Sequence, residues 1–190
     1  MYWQYIDVRI HNLLSCLGQI LQMTLIARIF GKSKIALTEP WGRVIEYWDK
    51  SGLSIRPSAS VAKISEFETK FGVILPHDFK KYLQIVDGSS EGKMDDGLYR
   101  FWPLTEIRPV HEELDESRGV IYGDRFAYPD CFVFADHCIS CWLYAIRITK
   151  DPAEPAPVFR VTAGKIPGEQ MAPSFLEFMT RYANDPGSIL

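Results

Sequence analysis

The spacing of hydrophobic residues changes near Gly88, and this change constrains the fold more than any other feature of the sequence. Before it, apolar residues recur every three or four positions, which is the spacing of a helix with one buried face. This spacing predicts helices over 41–50, 60–71 and 76–86, the last of them closed by Asp87-Gly88. We therefore expect the chain to be helical before it becomes sheet-forming.

Past Gly88 the segments are shorter and richer in β-branched and aromatic residues, which favour strands. Four strands are predicted, over 98–102, 132–134, 141–148 and 158–161, with a short turn between the second and the third. A last helix is predicted from Ser174, which precedes Glu177 by the spacing of a capping box. Helices at both ends with strands between them predict an α+β fold with a mainly antiparallel sheet.

Two connections carry predictions of their own. The segment 89–96 is polar and rich in turn-forming residues, so we expect an exposed loop there. Thr105 is predicted to cap a short helix that runs to Val110, with a length limited by Pro109.

Composition narrows the class of protein. The chain has 190 residues, of which 47% are hydrophobic and 24% are charged, and a chain of this size builds a core without disulfides or metals. Intrinsic disorder and a disulfide-dense miniprotein are therefore excluded. The formal net charge is −3, whereas nucleic-acid-binding domains usually carry a basic excess. We expect no nucleic-acid partner.

Residues 13–27 form an uncharged, largely apolar run that Arg28 closes. As a helix this run would be about 22 Å long, short of the roughly 30 Å hydrocarbon core of a membrane. It also lacks the basic start of a signal peptide. Three interpretations stay open: a docked or interfacial amphipathic helix, a membrane anchor, and a chain that begins at Met23. We divide the chain into an N-terminal extension, residues 1–31, and one domain, residues 32–190.

Cys138 and Cys141 are separated by two residues and follow His137, a pattern that occurs in zinc and redox sites. A structural zinc site needs about four ligands, and only one such pair is present. A redox pair is usually activated at a helix N-terminus, whereas this pair flanks a turn between predicted strands. We therefore expect buried cysteines beside a turn, with a metal or redox role as the alternative. Four thiols favour a reducing, cytoplasmic location.

No catalytic motif emerges from the sequence. It contains no nucleophile elbow, phosphate-binding glycine loop or dinucleotide fingerprint. His111 opens a His-Glu-Glu triplet, but the second histidine of a zinc-protease helix is missing four residues on. We expect a protein without catalytic residues, metal or cofactor.

Charge is concentrated in residues 91–136, which carry five Lys or Arg against eleven Asp or Glu. Such a run can be a solvated face, or it can be an acidic patch that attracts a basic protein partner. Aromatic residues lie among these charges, and partly exposed aromatics often anchor interfaces. The candidate partner-binding residues are Glu91, Asp95, Asp96, Tyr99, Trp102, Glu112, Glu113, Asp115 and Glu116.

Four segments, in order, resemble the SMI1/KNR4 family, also called SUKH. They lie within residues 40–183 and contain Leu75-Pro76 followed by Asp87-Gly88, then Phe101-Trp102-Pro103-Leu104, then Phe134-Ala135-Asp136, and finally Ser174-Phe175. The family usually has Asn where this chain has Asp87. The residues before position 31 lie outside the resemblance.

The resemblance implies helices packed on a strongly bent sheet and a function without catalysis. Many bacterial members are immunity proteins that bind and neutralise a cognate polymorphic toxin, of nuclease or deaminase type. The alternative that the family offers is a regulatory scaffold module, which the N-terminal helix could attach to a membrane. The family supplies no catalytic residues, and its toxin-facing residues vary between members, so the acidic residues above remain the candidate partner site.

Overall fold

The computed structural model describes residues 40–89, 92–116, 127–161 and 168–190. The helices are α1 (Trp41–Lys50), α2 (Val61–Phe71), α3 (His77–Ile85), α4 (Val110–Glu116) and α5 (Phe175–Asn184), followed by a 3₁₀ turn at Pro186–Ile189. The strands are β1 (Tyr99–Phe101), β2 (Arg108–Pro109), β3 (Cys131–His137), β4 (Trp142–Arg147), β5 (Val158–Val161) and β6 (Glu169–Ala172). The predicted N-terminal extension, residues 1–31, lies outside the described residues, and the domain division stays a prediction.

The six strands form one open antiparallel sheet in the order β1-β3-β4-β5-β6, and β2 pairs with β3 beside β1. Register shifts interrupt the ladder between Val133 and Ala135 and between Val158 and Phe159. Such bulges bend a strand and increase its twist. The prediction of an α+β fold with a mainly antiparallel sheet is confirmed.

Two helices, α2 and α5, begin at the serine caps that the sequence predicts. The Ser60 hydroxyl accepts a hydrogen bond from the Lys63 amide at 3.2 Å and caps α2. Gly72 ends that helix with a φ of 65°, a left-handed conformation that glycine adopts without steric cost. The Ser174 hydroxyl accepts from the Glu177 amide at 3.1 Å, as the capping spacing predicts. Because these capping signals are local in the sequence, they predict the helix ends without knowledge of tertiary contacts.

The core is an aromatic cluster between the helices and one face of the sheet. Phe175 of α5 lies 4.7 Å from Phe79 of α3 and 5.3 Å from Phe134 of β3, measured between ring centroids. Trp48 of α1 lies 5.3 Å from Phe101 of β1. All five rings are at most 1% exposed. Edge-to-face pairs of this kind add about 0.5–1.5 kcal/mol each beyond their buried area.

The structure differs from the sequence-based predictions at one helix, one strand and one loop. The helix expected from Thr105 to Val110 is a turn followed by β2, and α4 begins where that helix should end. Pro109 has no amide hydrogen, and the two residues of β2 pair with β3 instead. Strand β6 was not predicted, because its sequence Glu-Gln-Met-Ala has little strand preference. Segment 89–96 is not uniformly exposed, since Ser89 and Asp95 are 1% and 3% exposed.

Candidate functional site

The structure places the candidate partner-binding residues at two ends of β3. At one end Tyr99 pairs with His137, and the loop carrying Asp95 and Asp96 precedes that pair. At the other end Pro109 pairs with Phe132, and α4 follows immediately. Five strand positions separate these pairs, which corresponds to about 17 Å. The candidates therefore lie in two groups. Glu91 and the side chain of Glu116 lie outside the described part of the chain.

Asp95 belongs to a buried polar network. Its carboxylate accepts a hydrogen bond from the Tyr99 amide at 2.9 Å and a second one from the Tyr182 hydroxyl. That hydroxyl in turn accepts from Trp48 Nε1 at 2.6 Å. The Tyr99 hydroxyl donates to the Pro186 carbonyl at 2.8 Å. Asp95 and Tyr99 thus connect the loop before β1 to α1, to α5 and to the C-terminal turn.

Burial raises the pKa of Asp95 above its ordinary value of 3.8, and the hydrogen bonds from Tyr182 and Tyr99 oppose this only in part. The native state therefore holds the Asp95 proton more tightly than the unfolded chain does. It follows that the Asp95 contribution to stability is fully present at low pH. This contribution falls as the pH rises through the raised pKa.

We expect Asp95→Asn to destabilise the protein, by a margin that narrows from pH 4 towards pH 8. The asparagine side chain has one fewer acceptor oxygen than the aspartate side chain at every pH. It never ionises, however, so it does not pay the penalty of a buried charge. Urea unfolding of both proteins across this range measures the margin, and groups common to both cancel. A margin that widens with pH would show that the carboxylate is favoured in its charged form.

Trp102, directly after β1, and Glu113 of α4 belong to a second buried group, together with Arg108 of β2. Trp102 Nε1 donates to Asp136 Oδ2 at 2.5 Å, and the guanidinium carbons of Arg100 and Arg108 each lie 5.8 Å from the Trp102 ring. Glu113 Oε2 lies 2.6 Å from Arg108 Nε. Trp102 and Glu113 are each 4% exposed. Their side chains are therefore occupied by contacts within the domain.

Asp96, Glu112 and Asp115 are the acidic candidates that the structure exposes. Two of them stand on α4, whose first turn is acidic and so agrees in sign with the positive end of the helix dipole. The described residues contain no ion pair of Glu112. The exposed Glu112 carboxylate is accessible to a cationic partner.

Sequence reasoning missed an exposed apolar group beside Asp96. Leu98, Ile139 and Trp142 are 48%, 81% and 37% exposed. They lie together because the Cys138 amide donates to the Leu98 carbonyl at 2.9 Å, which joins the β3–β4 turn to the start of β1. The Trp142 ring stacks on His137 at 5.3 Å, and Arg160 lies over it at 5.3 Å. The one signal in the sequence was the position of Trp142 at a strand end.

A cavity of about 210 Å³ lies between α2 and the turn before β2. Phe67, Phe71 and Leu104 contribute to its walls, and Lys63 and Lys70 stand among its lining residues. Cavities that hold small-molecule ligands usually measure about 300–1,000 Å³, so this one is smaller than such a site.

The described part of the chain holds no group of three His, Cys, Asp or Glu residues arranged for a metal.

Comparison with known proteins places the chain in a family. A family model described as SMI1/KNR4 (SUKH-1) matches residues 58–181, more than half of the chain. The chain belongs to the SMI1/KNR4 family. No curated protein matches the sequence. Among the described residues, no helix is long and apolar enough to cross a membrane.

The residues of the SMI1/KNR4 motifs make contacts within the domain. Asp87 Oδ1 accepts from the Leu104 amide at 2.6 Å and fixes the chain after β1. A side chain at Gly88 would meet backbone atoms of residues 101–103 at 2.7 Å. The Asp136 carboxylate accepts hydrogen bonds from Trp102 Nε1 and, at 3.2 Å, from the Ser140 amide in the β3–β4 turn. In this chain these motif residues make contacts that hold the fold together.

Proposed function

We propose that this SMI1/KNR4 domain is an immunity protein. It binds a cognate bacterial toxin of nuclease or deaminase type in the cytoplasm and neutralises it without catalysis. Membership of a generally non-catalytic family supports this function, and the exposed acidic face of α4 is the observation that carries it. The acidic face is formed by Glu112 and Asp115.

The chemistry of the toxin argues for an acidic inhibitor. A nuclease, or a deaminase that acts on nucleic acid, must present cationic groups to phosphate. An inhibitor with exposed carboxylates can occupy the same surface and accelerate the encounter through long-range attraction. The acidic face projects from a helix attached to β2, a rigid support for such a surface.

The exposed apolar residues at the other end of β3 can supply binding affinity that charge alone does not provide. Charges at the rim of an interface mainly change the association rate, whereas buried aromatic and aliphatic anchors supply most of the affinity. Trp142 and Ile139 are exposed, and the hydrogen bond from the Cys138 amide to the Leu98 carbonyl joins their turn to the segment that carries Asp96, so this end of the sheet offers anchors and a carboxylate. The proposed interface therefore has an acidic steering face and a separate apolar end.

Co-expression with the toxin domain encoded beside the gene tests the function. Immunity predicts that growth is restored and that the two proteins co-purify as a stable complex. Continued growth arrest by an active toxin, with no complex recovered, would refute the proposal. A catalytically inactive toxin that still co-purifies would show that binding depends on the toxin surface and needs no turnover.

We expect Glu112→Gln with Asp115→Asn to slow toxin association about three- to tenfold at low salt, with little change in dissociation. Both substitutions keep the size of the side chain and remove only charge. The difference should shrink at physiological salt, where the Debye length is about 8 Å. Stopped-flow or surface-plasmon measurements at several salt concentrations provide the rates.

The matched control is Asp49→Asn with Glu154→Gln, which removes two exposed carboxylates from other parts of the surface. Both pairs change the net charge equally, so a general effect of charge would slow association to the same extent. A specific acidic face requires the α4 pair to have the larger effect. Equal rates for the two double variants would remove α4 from the interface.

A further inference from the structure

The connection between β3 and β4 brings two cysteines to the ends of one tight turn. Cys138 follows the last residue of β3, and Cys141 precedes the first residue of β4. The Cys141 amide donates to the Cys138 carbonyl at 3.3 Å, which closes a turn from the first to the fourth residue. The α-carbons at the ends of such a turn lie within about 7 Å, and disulfides span about 4.4–6.8 Å.

Only this pair of described cysteines is suitably placed for oxidation. The expectation of buried cysteines beside this turn is wrong, because Cys141 is exposed and Cys138 is half-buried. Solvent-borne oxidants therefore reach the pair. Cys131 is 1% exposed and lies at the opposite end of β3. Seven residues of extended chain separate Cys131 from Cys138, about 23 Å, which excludes a bond between them.

The backbone of the turn is unusual for its sequence. Cys138, Ile139 and Ser140 have φ angles of 53°, 55° and 61°. Hairpin turns with two left-handed residues strongly favour Asn-Gly, and a β-branched residue such as isoleucine rarely adopts this conformation. The Ile139 side chain is 81% exposed, so burial does not offset the strain. Hydrogen bonds from the Ser140 amide to Asp136 and from the Cys138 amide to the Leu98 carbonyl hold this conformation with both thiols free. A bond between Cys138 and Cys141 would constrain it further.

We propose that Cys138 and Cys141 form a reversible disulfide across the β3–β4 turn, with a disulfide such as oxidised glutathione as the oxidant. The Cys141 thiolate attacks one sulfur of oxidised glutathione, forms a mixed disulfide and releases one glutathione thiolate. The Cys138 thiolate then attacks the Cys141 sulfur and releases the second glutathione. The protein loses two hydrogens, and the oxidant is reduced to two molecules of glutathione.

This pair differs from the activated pair of an oxidoreductase. The hydrogen bond with the Cys138 thiol raises the pKa of Cys141. Fewer thiolates are then present at neutral pH, so exchange is slow and accelerates in alkaline solution. The site suits a bond that forms under sustained oxidation and stiffens the turn that displays Ile139 and precedes Trp142.

The test uses the full chain with Cys16→Ser, which removes the cysteine that lies outside the described residues. The protein is equilibrated in buffers of increasing oxidised-to-reduced glutathione ratio, alkylated and analysed by mass spectrometry. We expect the two thiols to disappear together from a monomer, with less than about a tenth of the molecules carrying one glutathione. Thiols that stay reactive at every ratio, a dominant single-glutathione adduct, or a disulfide-linked dimer would each overturn the proposal.

Three variants complete the test. Cys138→Ser should stop the reaction at a glutathione adduct on Cys141, whereas the buried control Cys131→Ser should behave like its parent. The double change Ile139→Asn with Ser140→Gly keeps both thiols and provides the residues that this turn prefers. It should favour the disulfide about fivefold or more, because the turn is then populated without strain. A weaker disulfide in that variant would contradict the proposed geometry.

Discussion

Replacing Gly88 by alanine should lower the free energy of unfolding by about 3 kcal/mol or more, one of the largest effects that a single methyl group can have in this fold. Gly88 has a φ of 75°, and a β-carbon there would lie 2.7 Å from the Phe101 oxygen, the Pro103 nitrogen and the Trp102 carbonyl carbon. All three are backbone atoms, so no side-chain rotation relieves the overlap. The chain between β1 and β2 would have to move.

Gly72→Ala is the matched control. Gly72 also has a positive φ, 65°, but its added β-carbon would meet no atom within 4 Å. The control therefore measures the strain of a left-handed alanine alone, about 1 kcal/mol. Urea unfolding with unchanged m-values gives both losses. Equal losses in the two variants would mean that the approach of residues 101–103 has no energetic weight.

The same two glycines show what local sequence can predict and what it cannot. Gly72 is recognisable as a helix stop because the helical pattern of α2 ends there, and the structure confirms it. The Asp87-Gly88 pair was also recognised as a stop after α3. Its second role, close contact with the chain after β1, depends on residues more than ten positions away. A local pattern cannot show which backbone will approach a glycine.

The acidic candidates show a similar division. Counting charges in residues 91–136 identified an acidic region, but counting treats every carboxylate as exposed. Asp95 is buried because its partner Tyr182 comes from α5, 87 positions later in the chain. Glu112 and Asp115 remain exposed on the same short helix that buries Glu113. Burial of a charge is decided by partners that tertiary structure supplies, so composition locates the region and the fold selects the residues.

The helix predicted from Thr105 to Val110 did not form, for a further reason. Thr105 can cap a helix that begins at Glu106, and Pro109 limits the length of that helix. What decides the outcome is the pairing of Arg108 with Val133 of β3, which converts the segment into an edge strand. Strand pairing between distant segments overrides weak local preference, whereas the strong amphipathic pattern of α1 formed as predicted.

The buried carboxylate of Asp136 should be as important to the fold as Gly88. Its oxygens accept hydrogen bonds from Trp102 Nε1 at 2.5 Å and from the Ser140 amide at 3.2 Å, and Arg100 Nη1 lies 3.6 Å away. Asp136→Ala leaves the Trp102 and Ser140 donors without this acceptor, while Arg100 keeps its ion pair with Glu106. A buried donor left unpaired costs about 1–3 kcal/mol, so the two donors together bring the expected loss to about 3 kcal/mol.

Asp96→Ala is the matched control, because the same carboxylate is removed from an exposed position. Its effect should stay within about 0.5 kcal/mol. A double-mutant cycle with Trp102→Phe isolates the hydrogen bond, and we expect a coupling energy of at least about 1 kcal/mol, since the bond joins a charged acceptor to a buried donor. Additive losses would mean that Asp136 acts mainly through Arg100 and the turn. Because Asp136 touches the same turn that carries Cys138 and Cys141, its loss should also loosen the apolar end of the sheet while leaving the acidic face on α4 in place.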